Sequence, residues 1–76
     1  MDIKLFWDAQ NKRIIVQDWQ YGFAKHIGYV YYRRNTGDMV FYAGACGLDL
    51  GELVDVASLM AELEWRFDLI EELWGH

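Results

Sequence analysis

The feature that most constrains this chain is the spacing of seven apolar residues: Leu53, Val56, Met60, Leu63, Phe67, Ile70 and Trp74 follow one another at intervals of 3-4-3-4-3-4. That period matches the turn of an α-helix and sets all seven on one stripe, which must be buried against another element. Asp49 with Glu52 three residues on fits a helix N-cap and its reciprocal carboxylate, and Gly75 suits a C-terminal stop. The spacing therefore predicts one long acidic amphipathic helix over 49–75. Continuous from 50 to 74, it would be roughly 37 Å long at 1.5 Å per residue.

The partner for that stripe is expected from residues 1–45, which read as strands. Ile3, Leu5 and Trp7 alternate with Lys4, Phe6 and Asp8, the period-two signal of a half-buried strand. Residues 8–12 suit a turn, and Arg13 to Trp19 follow as a second strand around β-branched Ile14, Ile15 and Val16. Ile27 to Arg34 form a third. Asn35-Thr36-Gly37-Asp38 closes a hairpin in which Gly37 supplies a positive φ, and Met39 to Ala43 return as a fourth. Consecutive strands with short turns favour an antiparallel meander. The expected fold is α+β, a four-stranded antiparallel sheet with one long C-terminal helix on one face, forming a single domain over 1–76.

A chain of 76 residues builds only a thin core, and domains of this size commonly lean on a disulfide, a metal or a partner. One cysteine excludes an internal disulfide, and two histidines with it make no structural zinc site, so no metal and no cofactor is expected. With 54 % hydrophobic residues and four tryptophans, the surplus of apolar surface points to a protein partner or to a homodimer. Met1 is followed by Asp2 and Lys4 rather than by a basic stretch and an apolar run, so no secretory signal and a cytoplasmic location are expected. No uninterrupted apolar run is long enough to span a membrane.

Catalytic patterns are weak. Cys46 lies in a Gly-Ala-Cys-Gly loop ahead of the helix, where a thiol can be activated, but no spacing brings a base such as His26 to it. The glycines at 44 and 47 lack the spacing and lysine of a phosphate loop. The helix carboxylates share one solvated surface rather than the unlike environments of an acid/base pair. The chain is expected not to be an enzyme.

Charge is divided as sharply as pattern. Residues 1–48 carry six bases and four acids, whereas 49–76 carry eight acids and only Arg66. The net charge of −5 argues against direct binding of nucleic acid. On a continuous helix Glu64, Asp68, Glu71 and Glu72 lie at successive turns. Carboxylates one turn apart sit roughly 6 Å from one another, near the spacing of backbone phosphates. Such a row can enter a basic groove made for nucleic acid, or can simply be a solvated face. Trp65, Leu69 and Leu73 form a second apolar ridge, a candidate surface for a partner or a second copy. Arg66, Trp19 and Tyr21 are anchors of the kind interfaces favour.

Two resemblances follow from these residues. Trp19, the run Tyr31-Tyr32-Arg33-Arg34-Asn35-Thr36-Gly37 and Phe41 resemble the aromatic hairpin of WW domains over about a third of the chain. Phe41 stands where that family has its second tryptophan, and the closing proline is missing. In size, acidity and lack of catalytic motifs the chain is similar to small phage-encoded anti-defence proteins, the anti-CRISPR proteins among them. These share no motif, so no residue is carried over from them. The resemblance implies a non-catalytic inhibitor in a bacterial cytoplasm, bound to a nuclease or CRISPR effector through the acid row and the apolar ridge. The alternative expectation is a self-associating structural or regulatory module of antitoxin or immunity type.

Overall fold

The computed structural model describes residues 2–20, 22–45 and 47–75. Four strands, β1 (Ile3–Asp8), β2 (Arg13–Asp18), β3 (Lys25–Arg33) and β4 (Asp38–Ala43), pair antiparallel with their neighbours in chain order. The expected meander is present. Gly37 has φ +74 and donates its N–H to the Arg33 carbonyl at 2.7 Å, closing the β3–β4 hairpin as its residue type allows.

Alternation along β2 puts Ile14, Val16 and Asp18 on the core face. On β3 the fully buried residues are Ile27 and Val30, three apart, which a regular strand would place on opposite faces. A bulge resolves this: Val16 pairs with Gly28 while Gln17 pairs with His26, so Ile27 is an extra residue and also turns inward. Gly28 is required there. A Cβ at Gly28 would lie 2.2 Å from the Tyr42 carbonyl oxygen and 2.6 Å from the Phe41 ring, which packs over it.

The expected single helix is corrected to two, α1 (Leu50–Glu64) and α2 (Phe67–Trp74). Asp49 caps α1 as its sequence indicates: its Oδ1 accepts from the Glu52 N–H at 2.8 Å, and Glu52 Oε1 accepts from the Asp49 N–H at 3.0 Å. At the other end Trp65 and Arg66 donate to the carbonyls of Glu62 and Leu63, three residues back, which tightens the final turn, and Arg66 leaves helical geometry at φ −94, ψ 66. Neither proline nor glycine causes the break. A straight helix from 50 to 74, roughly 37 Å long, would overhang the longest strand, which has nine residues and spans about 30 Å, whereas the two shorter helices stay within that length.

Val56, Leu63 and Trp74 of the apolar stripe are buried and Met60 and Ile70 pack on them, but Leu53, in the first turn of α1, and Phe67, at the break, are exposed. Leu59, Leu69 and Leu73 take up the packing instead. Trp74 meets Trp7 edge-on with ring centroids 5.1 Å apart and lies 6.0 Å from Tyr32. No helix among the described residues is long and apolar enough to cross a membrane.

Candidate functional site

The break that redirects α2 also builds the most distinctive surface of the molecule. With the main chain turning at Trp65 and Arg66, the side chains on either side of the turn stand largely in solvent beside the β3–β4 hairpin. Trp65 is 77 % exposed and Phe67 69 %, although both are large and apolar. Their rings meet edge-on with centroids 6.4 Å apart, so the pair is held together in water rather than in the core. Exposed aromatic pairs of this size are characteristic of binding surfaces.

A cleft of about 300 Å³ opens beside this pair, between the elbow and the β3–β4 hairpin. Tyr32, Met39, Trp65, Phe67 and Ile70 give it apolar and aromatic walls, and Asp38 and Glu64 stand in the same lining. Asp38 is held by Arg33, whose Nε and Nη2 donate to its two oxygens at 2.9 and 2.5 Å, and by the Thr36 hydroxyl. Those bonds keep its carboxyl well below the usual aspartate range. The Glu64 carboxylate has no hydrogen-bond or ion-pair partner among the described residues.

All four carboxylates of the sequence-defined row are exposed, but they do not form one straight row. Glu64 ends α1, whereas Asp68, Glu71 and Glu72 belong to α2, and the break lies between them. Arg66 Nε and Nη2 lie 3.2 and 3.3 Å from the Asp68 oxygens, which holds the Asp68 carboxyl below its ordinary value and turns the arginine away from the cleft. The apolar ridge is likewise divided: Leu69 and Leu73 are half-buried against the core, and Trp65 alone projects. The partnership of Trp65 with Phe67, Tyr32 and Asp38 was invisible in a periodicity that assigned Phe67 to the buried stripe. The signal available was the tetrad Trp65-Arg66-Phe67-Asp68, in which bulky and charged residues alternate where the stripe should have continued.

Both helices cover one face of the sheet and leave the other open. There Arg13 organises the aromatics: its Nε donates to Asp8 at 2.9 Å, its Nη1 to the Tyr31 hydroxyl at 2.9 Å, and its guanidinium sits 3.7 Å from the centre of the Tyr29 ring. Tyr42 stands edge-on to Tyr31 at 5.3 Å and is 56 % exposed. With Arg33 and Val40 these residues line a shallow groove of about 550 Å³. Trp19 is half-buried, its Nε1–H bonded to Gln17 and its ring under the Lys4 ammonium at 5.0 Å.

Two carboxylates are fully buried, Asp18 on β2 and the capping Glu52. Lys25 Nζ donates to Glu52 Oε1 at 2.7 Å, and the Gln20 N–H to Asp18 Oδ1 at 3.0 Å. The remaining oxygens, Asp18 Oδ2 and Glu52 Oε2, are buried with no hydrogen-bond partner among the described residues. Burial pushes the Asp18 carboxyl up, but the Gln20 N–H, the Glu52 side chain and the Asp2 N–H outweigh it and hold the group below its ordinary value. Neither carboxylate lines either of the clefts described above. The Lys25 ion pair ties Glu52, and with it the start of α1, to β3 rather than presenting an acid to a substrate.

Cys46 and Tyr21, singled out in the sequence, lie outside the described residues. His26 is half-buried on β3 with its ring 4.6 Å from that of Tyr29. Among the described residues no group of three or more His, Cys, Asp or Glu side chains is placed to hold a metal ion. No protein-family model matches the chain, and neither a curated protein nor a solved structure matches it.

Proposed function

We propose that this chain is a small non-catalytic protein-binding inhibitor whose partner is a nucleic-acid-handling protein. The observation that carries this reading is the coincidence, at one elbow, of two exposed aromatic anchors with a set of exposed carboxylates. An interface of this kind divides its labour: Trp65 and Phe67 supply desolvated contact area, and Glu64, Asp68, Glu71 and Glu72 attract a basic groove and set its orientation. A basic groove that accepts phosphates accepts carboxylates by the same electrostatics, so occupation of it by this chain excludes nucleic acid. The narrower form of the proposal is an anti-defence protein of anti-CRISPR type acting on a nuclease or CRISPR effector.

The test uses tagged wild-type chain and a variant with Glu64, Asp68, Glu71 and Glu72 all changed to Lys, each incubated with bacterial lysate. A partner retained by wild type, released by high salt and absent with the reversed chain is expected. Nucleic acid bound to that partner should then be displaced by added wild-type chain. Equal capture by both chains, or a partner that keeps its nucleic acid, defeats the proposal.

A second reading, self-association, is favoured by the uncovered sheet face, where Phe6 and Tyr42 are 46 % and 56 % exposed beside Tyr29 and Tyr31. Sedimentation of wild type against Tyr42→Asp separates the two, since a dimer through that face dissociates in the variant.

A further inference from the structure

We infer that the cleft at the α1–α2 elbow is a receptor for a single cationic side chain, an arginine projecting from the partner; the inference rests on the docking function proposed above and names what enters the cleft. Three aromatic rings, Tyr32, Trp65 and Phe67, and two carboxylates, Asp38 and Glu64, line one space of about 300 Å³. Aromatic faces attract a cation through their quadrupole, and a carboxylate at the rim gives its N–H groups an acceptor. Apolar walls with acidic members suit a flat cation with a hydrocarbon stem, in which the methylenes lie against Met39 and Ile70 and the charged end meets Glu64.

The carboxylates are unequal in a way that selects the contact. Asp38 already accepts from Arg33 and from Thr36, so it contributes mainly field. Glu64 has no such partner among the described residues and offers both oxygens, the acceptor geometry that a guanidinium fork matches and an ammonium does not. Neither neighbouring arginine lines the cleft: Arg33 is bonded to Asp38 and Arg66 to Asp68. Arginine is thus preferred over lysine, and a phosphate or an acidic peptide is repelled.

The probe is a blocked tri-arginine peptide titrated into ¹⁵N-labelled full-length chain, read at the tryptophan indole N–H signals. Trp65 should shift, while the indole of Trp74, buried and bonded to the Lys12 carbonyl, stays in place as an internal control. Tri-lysine should bind at least threefold more weakly, Glu64→Gln should weaken tri-arginine at least fivefold, and Trp65→Leu should abolish saturation at the elbow. Equal binding of the two peptides, an unaffected Glu64→Gln variant, or a Trp65 signal that does not move each overturns the inference. Failure of the cleft is distinguishable from failure of the docking function: partner capture that still depends on the acid row, with a silent Trp65 signal, removes the arginine receptor alone.

Discussion

The indole Nε1–H of Trp74 donates to the main-chain carbonyl of Lys12 at 2.7 Å, joining the last turn of α2 to the β1–β2 turn across 62 residues of sequence. This bond and the surrounding rings of Trp7 and Tyr32 hold α2 on the sheet after the break, and so hold the elbow in shape. Trp74→Phe keeps an aromatic ring but loses the hydrogen bond to the Lys12 carbonyl, at a cost of about 1 kcal/mol. A melting temperature lower by roughly 4–8 °C per kcal/mol is expected. Trp65→Ala, by contrast, should leave the melting temperature within the scatter of surface substitutions, because the residue is 77 % exposed.

Lys25 holds a charge against the buried Glu52, and its removal strands that carboxylate beneath the start of α1. Lys25→Met should cost about 3 kcal/mol, near the lower end for breaking a buried ion pair. Denaturant unfolding of Lys25→Met beside the double variant Lys25→Met/Glu52→Leu checks this, since removing both charges should recover part of the loss. Equal losses in the two would mean that the charge was never the problem.

Gly28 is sealed between the Tyr42 main chain and the Phe41 ring. Gly28→Ala forces β4 or Phe41 aside and should destabilise by about 1–3 kcal/mol, as overpacking of a close contact does. A thermal melt reads it directly, and an unchanged melting temperature would show that the strand yields freely.

Acid should destabilise the fold through its aspartates. Asn11 and then Arg13 hold Asp8 low, Arg33 and Thr36 hold Asp38 low, Arg66 holds Asp68 low, and the hydrogen bonds to Asp18 hold it low against the opposing effect of its burial. Each group binds its proton less readily folded than unfolded, so its contribution is complete above the unfolded value near 3.8 and is lost as pH falls through the lower folded value. Denaturation midpoints should stay flat from pH 7 to about pH 5 and drop below about pH 4. A midpoint that rises on acidification contradicts the assignment.

Much of this molecule could be read from residue order, and the exceptions have physical causes. The alternation of Ile3, Leu5 and Trp7, the β-branched centre of β2 and the turn at Gly37 are local signals, and local signals specify a meander. The Asp49/Glu52 capping box is local too. What periodicity misjudged was the helix, because neither Trp65 nor Arg66 forbids helical backbone and the 3-4 spacing runs through the break unmarked. That misjudgement carried over to the site: Phe67 was assigned to the core, Leu69 and Leu73 to an exposed ridge, and the acid row to a single axis. Lys25 and Glu52 meet through the packing of α1 beside β3, which no spacing within either element reveals. Tyr32 and Asp38 reach the cleft from the hairpin in the same way.

The most direct measurement is partner capture by two forms of the tagged chain, wild type and the Trp65→Ala/Phe67→Ala double variant, from the same lysate at low salt. Both side chains lie outside the core, so the variant should fold with an unchanged far-ultraviolet spectrum. If the elbow is the docking surface, the salt-sensitive partner retained by wild type should be absent from the variant. Retention of the same partner in the same amount by both would contradict it and move the binding surface to the open tyrosine face of the sheet.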